Sequence, residues 1–111
     1  VTYSNEAKEK ILGVSKSLLE SYGAVSEPVA KAMVEGIVKL SEADVSISVT
    51  GIAGPGGGTK EKPVGTVCFG FHNLIQGIRV ETMNFSGDRP SIRHQAVKYA
   101  LRTTLSDLSE C

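Results

Sequence analysis

Apolar residues change period twice along this chain. The first forty residues repeat at helical spacing. Ser4 is placed to cap a helix over 4–12, with Glu6 in its first turn and Gly13 as its stop. A second short helix is predicted over 15–22, closed by Gly23. Ser26 caps a third, with Pro28 in its first turn; Val29, Ala30, Met33, Ile37 and Leu40 then form one buried stripe. The period switches at Val45: Val45, Ile47 and Val49 point one way, Ser46 and Ser48 the other, as in a strand. Further strands are predicted over 65–71, with Val67, Phe69 and Phe71 on one face, and over 78–84. The short polar link between them predicts an antiparallel hairpin. Helical spacing then returns. Asp88 caps a long helix over 89–108, whose expected buried face is Ile92, Ala96, Val97, Ala100, Leu101, Leu105 and Leu108. At the other end of the chain, Thr2 and Tyr3 read as the close of a strand.

The first strand runs straight into Thr50-Gly-Ile-Ala-Gly-Pro-Gly-Gly-Gly-Thr59. Glycines at a strand end leave backbone N–H groups uncovered, able to approach an anion or a polarised carbonyl. In open α/β sheets ligands collect at the carboxyl ends of strands. The loop departs from both common nucleotide fingerprints. Gly56 is followed by Gly57 where a phosphate-binding P-loop has Lys, and Thr59 stands where a dinucleotide motif has its last Gly. The connection 50–64 is predicted to have no regular structure. Loops of that length in compact domains are usually functional or disordered, and the Gly54-Pro55 pair favours a shaped loop.

Composition narrows the classes. A chain of 111 residues, 41% hydrophobic, is expected to be one domain over 1–111 with a real core. Twelve basic residues balance twelve acidic ones, which argues against a nucleic-acid-binding face. No apolar run approaches the ~18 residues of a membrane span. Two cysteines, Cys68 and Cys111, do not make a disulfide framework: Cys68 fits the core of a strand and Cys111 is terminal. No Cys/His spacing suggests a metal site. The expected compartment is reducing and cytoplasmic. His72 and His94 have no partner set and are read as solvent-facing.

The glycine string, followed by Lys62-Pro-Val-Gly-Thr-Val67, resembles the C-terminal domain of the CinA (competence/damage-inducible) family, which includes nicotinamide mononucleotide deamidases. The residues from Thr2 to Lys8 (Thr-Tyr-Ser-Asn-Glu-Ala-Lys), Leu12-Gly-Val14, Gly23-Ala-Val-Ser26, Ala43-Asp44 and Gly87-Asp-Arg89 agree with it, collinearly from Val1 to about Leu105. The resemblance implies a three-layer α/β/α sandwich with a mixed sheet. It also implies a further upstream segment carrying Glu-Ser-Cys-Thr-Gly-Gly, a motif absent from these 111 residues. The chain therefore reads as truncated at its N-terminus and, by itself, as inactive.

The implied reaction is hydrolysis of the carboxamide of nicotinamide mononucleotide, in pyridine-nucleotide recycling, with no metal or cofactor. The partner is a small-molecule nucleotide, and a homo-oligomer is compatible with the sequence. Taken alone, Tyr3 reads as packing and Lys8 as a solvated helix lysine. By resemblance they match the family's Tyr-Ser-Asn-x-x-Lys motif, beside the upstream serine. A lysine of lowered pKa can take the proton of a serine attacking an amide, and a tyrosine can relay it to departing ammonia. Thr50 and the amides of Gly51, Ala53 and Gly54 are candidates to hold the substrate or its oxyanion; the plain alternative for Thr50 is a backbone bond. Arg89 and Arg93 share one face in the first turns of the last helix, where cations oppose the helix dipole. A phosphate would offset that cost; surface ion pairing is the other reading. A non-catalytic nucleotide- or phosphate-binding module is the alternative function.

Overall fold

The computed structural model describes residues 5–109. Its element order is α1 (Asn5–Leu12), α2 (Lys16–Tyr22), α3 (Glu27–Leu40), β1 (Val45–Gly51), β2 (Thr66–Asn73), β3 (Gly77–Asn84) and α4 (Arg89–Ser109). The helix starts follow the capping signals. Ser15 Oγ accepts from Leu18 N at 3.1 Å, Ser26 Oγ from Val29 N at 3.3 Å, and Asp88 Oδ1 from Ser91 N at 3.0 Å. The Ser4 cap, Tyr3, the strand expected at Thr2–Tyr3 and Cys111 lie outside the described residues.

The described strands form one sheet in the order β1-β2-β3, antiparallel throughout. The hairpin is as expected, with Asn73 opposite Gly77 and Phe69 opposite Glu81. The mixed character expected of the sheet is not seen among these strands. Helix α3 covers one face, with α1 and α2 packed on it; α4 covers the other. This is the three-layer α/β/α arrangement.

Two cores result. Leu12, Val14, Leu19, Val29 and Met33 join α1, α2 and α3. Val67, Phe69 and Phe71 of β2 pack on Ile92, Ala96 and Ala100 of α4. Phe69, fully buried, stacks on Phe71 at 5.9 Å and meets Tyr99 at 5.0 Å. Between α3 and the sheet the contact is polar and close. Ser48 Oγ donates to Ala30 O at 2.6 Å, and a Cβ on Gly70, opposite Ser48 on β2, would lie 2.5 Å from that hydroxyl. Only glycine lets α3 settle so near.

The expected alternation of β1 is present, and this contact decides which of its faces is covered. Ser46, Ser48 and Thr50 are buried, whereas Val45 and Val49 are exposed and Ile47 is half-buried. On α4 the expected buried face is too wide. Ile92, Ala96 and Ala100 are buried, but Val97, Leu101, Leu105 and Leu108 are exposed. A helix on one flat sheet buries a stripe narrower than its apolar face. His94 is exposed as expected. His72 is only half-buried, and its Nδ1 is enclosed without a partner among the described residues. Its strand position on the α3 side, opposite Ser46, draws it in.

Candidate functional site

The glycine loop leaves the carboxyl end of β1, as the strand-to-glycine junction predicts. Its ends continue the ladder: Ile52 N donates to Thr66 O at 2.9 Å, and Gly65 N to Ile52 O at 2.7 Å. The intervening residues close on themselves around Val64. A Cβ on Gly54, whose φ is +80°, would meet Val64 Cγ1 at 2.6 Å. The loop lacks helix and strand, yet it is shaped by its own packing, in the manner of an Ω-loop.

Two cations fasten it. Lys62 Nζ donates to Tyr22 O at 2.6 Å, at the carbonyl end of α2, where a positive charge suits the helix dipole. Arg89 Nη1 donates to Gly54 O at 3.1 Å. Lys62 carried no signal in the sequence beyond belonging to the motif; its role depends on a contact forty positions away.

The candidate residues divide between the faces of the sheet. Thr50 points to the α3 side, where its Oγ1 donates to Ala24 O at 2.8 Å, 26 positions earlier. Lys8 belongs to the same layer, on α1 packed against α3. It is 6% exposed, not a solvated surface lysine, and burial lowers its ammonium from the ordinary lysine range. That moves an amine toward service as a base near neutral pH. Gly51, Ala53, Arg89 and Arg93 sit on the α4 side and line one end of a groove of about 680 Å³. Ile47, Val49, Val97 and Leu101 line much of the rest. Arg89 is held by Gly54, whereas Arg93 has no hydrogen-bond or ion-pair partner among the described residues. Thr50 and Gly51, adjacent at the end of β1, thus face opposite sides of the sheet.

Other reactive groups are quiet. Cys68 is buried, with its Sγ 3.5 Å from Thr82 Oγ1, and burial raises its thiol above the usual range. Among the described residues no His, Cys, Asp and Glu cluster could hold a metal ion. No described helix is long and apolar enough to cross a membrane.

The sequence matches the family model for the CinA C-terminal domain over residues 1–108. It is 52% identical over 107 residues to the nicotinamide-nucleotide amidohydrolase PncC of Enterobacter agglomerans, covering 96% of this chain and 65% of that protein. It is 52% identical over 114 residues to a CinA-like protein of Chlorobaculum tepidum, covering 99% of this chain and 27% of that one. A solved CinA-superfamily structure from Klebsiella pneumoniae 700603 superposes with a TM-score of 0.92 at 38% identity, covering 100% of this chain and 69% of that chain. The chain thus spans less than two thirds of the amidohydrolase it matches.

Proposed function

Since this chain belongs to the CinA C-terminal domain family, we propose that it serves hydrolysis of the carboxamide of nicotinamide mononucleotide to nicotinate mononucleotide and ammonia. The observation that carries the reading is the 52% identity to an amidohydrolase of that name. The polar loop end fits it, with a buried lysine in one layer and an arginine unpaired among the described residues in the other.

An amide is a poor electrophile. Its hydrolysis needs a deprotonated nucleophile, fixed donors for the oxyanion, and a proton for departing ammonia. In this reading Lys8 is the base and Tyr3 relays the proton to ammonia. The nucleophile is the serine of the family's Glu-Ser-Cys-Thr-Gly-Gly motif, which these residues do not include. Amides of Gly51, Ala53 and Gly54 supply fixed donors, and Thr50, tied to Ala24, orients the end of β1. Arg93, unpaired among the described residues, is a cation for the phosphate. The small-molecule nucleotide substrate and the balanced charge of the chain suit a cytoplasmic enzyme that engages no nucleic acid.

The test is ammonia release from nicotinamide mononucleotide with matching appearance of nicotinate mononucleotide. It is run on the 111-residue chain alone and with the unmatched part of the Enterobacter agglomerans amidohydrolase supplied as a second polypeptide. Turnover is expected only in the second case, and Lys8→Ala should lower it by ~10²–10⁴-fold while Lys10→Ala leaves it unchanged. Mononucleotide binding without ammonia release in a formed complex would replace this reading with the non-catalytic binding module.

A further inference from the structure

The glycine loop and the buried Lys8 belong to different parts of the fold, and the end of α2 joins them. Leu19 of α2 shares a core with Leu12, the last residue of α1, and with Val14 just beyond it. Val14 N donates back to Lys8 O at 3.1 Å, so the helix that carries Lys8 is tied to the start of α2. Helix α2 stops at Gly23, whose φ is +79° and whose N–H closes on Leu19 O at 2.8 Å. The successive carbonyls of Tyr22, Gly23 and Ala24 then each accept from a side chain: Lys62 Nζ at 2.6 Å, Ser26 Oγ at 2.9 Å and Thr50 Oγ1 at 2.8 Å. The end of α2 is thereby bolted to the end of β1 through Thr50 and to the loop through Lys62.

Lys62 is placed to transmit that hold. Its backbone is fixed on both sides. Before it, Thr59 N donates to Lys62 O at 2.9 Å and Lys62 N to Thr59 Oγ1 at 3.0 Å, closing a turn over 59–62. After it, Pro63 O accepts from Thr66 N at 3.0 Å and from Thr66 Oγ1 at 2.7 Å. Val64 then fills the middle of the loop. A Cβ on Gly54 would lie 2.6 Å from Val64 Cγ1, and one on Gly58 would lie 2.7 Å from Val64 N. A shift of Lys62 therefore moves Val64, and Val64 moves Gly54. The ammonium suits its station. Tyr22 O is among the last carbonyls of α2, beyond reach of the helix's own N–H groups, and it lies at the negative end of the helix dipole. Gly23 leaves room for the contact, since a Cβ there would come within 3.4 Å of Lys62 Nζ.

We propose that Lys62 is a positioning residue, holding the loop donors at Gly51, Ala53 and Gly54 in register with the layer that carries Lys8. The chemical part of this inference rests on the deamidase reading, which needs a base from one layer and oxyanion donors from the loop. Fixed donors stabilise an oxyanion only where they already stand at the right spacing; a displaced donor loses its contact with the transition state. Lys62 acts through the loop and not on the reacting atoms. Its loss should lower kcat and leave KM nearly unchanged, because the donors serve charge that develops only in the transition state. Lys60, exposed on the same turn, carries the same charge without the contact to α2 and is the control.

The experiment compares Lys62→Met, Lys62→Arg and Lys60→Met with the parent in the full 111-residue chain. Amide hydrogen exchange and thermal melts are followed on the chain alone. Lys62→Met should melt within a few degrees of the parent and keep the Phe69 and Phe71 amides of the central strand as slow as before. Exchange at Thr59 and Gly65, whose N–H groups close the loop, should speed up at least about tenfold through local opening. Lys62→Arg, which still brings a cationic donor to Tyr22 O, should restore most of that protection, and Lys60→Met should change nothing. Ammonia release from nicotinamide mononucleotide is then measured with the unmatched part of the Enterobacter agglomerans amidohydrolase added. Lys62→Met should lose at least about tenfold in kcat with KM within about twofold of the parent, and Lys62→Arg should recover most of the loss. Unchanged loop exchange in Lys62→Met, loop and strand amides released together in a lowered melt, or a change in KM alone would each overturn the proposal. Loop opening in Lys62→Met, with no ammonia released even by the parent assembly, would uphold the hold on the loop and count against the deamidase reading alone.

Discussion

Lys8 shows how far one residue can depart from its type. A lysine next to Glu9 and Lys10 in an eight-residue helix reads as surface charge, yet this one is buried. Burial penalises its charged form, so its folded pKa lies below the unfolded value. Between the two values the unfolded chain holds more protons than the folded one. Stability therefore rises with pH through that window and is lost as pH falls through it. Lys8→Met should raise the melting temperature at pH 7, with the gap to the parent closing as pH climbs into the ordinary lysine range. A gap that ignores pH would assign the effect to packing. The arginines divide similarly. Arg89 is spent on Gly54 O, whereas Arg93 is unpaired among the described residues. Arg93→Ala is expected to weaken nicotinamide mononucleotide binding by roughly ten- to a hundredfold, the worth of one charge-assisted hydrogen bond. Nicotinamide riboside, lacking the phosphate, should bind as before. Arg89→Ala should weaken both ligands together by loosening the loop. Calorimetry on the two variants separates these roles; equal losses for mononucleotide and riboside in Arg93→Ala would remove the phosphate assignment.

At the scale of elements, the polar face of β1 is the informative one. Ser46 and Ser48 occupy equivalent positions two residues apart, and both are 5% exposed. Ser48 donates to Ala30 O, whereas Ser46 Oγ has no partner among the described residues, nor does His72 Nδ1 on the strand opposite. Losing Ser48 should cost about 1 kcal/mol, the net worth of one buried hydrogen bond. Ser46→Ala should be neutral or slightly stabilising. Urea melts of the two variants give the comparison, and equal destabilisation would show that Ser46 is satisfied after all. The helices, the hairpin and the position of the glycine loop were legible from caps, periods and turn residues, all of which act over a few positions. The faces of β1 were not. Alternation says only that two faces differ; it does not say which of them a helix will cover.

The whole molecule rests on a sheet with a core on each side, and Phe69 anchors the α4 side. It is fully buried, with Phe71, Phe85 and Tyr99 around it. Phe69→Ala should cost about 3–5 kcal/mol, a large share of the ~5–15 kcal/mol that holds a domain of this size. Thermal melts should show the variant largely unfolded at 37 °C, with both cores lost in one transition. Separate transitions for the α3 and α4 sides would contradict a single cooperative unit. What the sequence by itself determined was local or chemical in kind. It set where helices and strands begin, that a glycine loop ends a strand, that the charges balance, and which family the motifs resemble. Tertiary structure alone decided that serines and not valines of β1 face α3, that Lys8 is buried, that Arg89 holds Gly54 O, and that Val97, Leu101, Leu105 and Leu108 of α4 are exposed among the described residues. Each of these depends on groups brought together from distant positions. Ser48 meets Ala30, Lys62 meets Tyr22 and Arg89 meets Gly54 only after the chain has folded. No pattern read along a few residues contains those contacts.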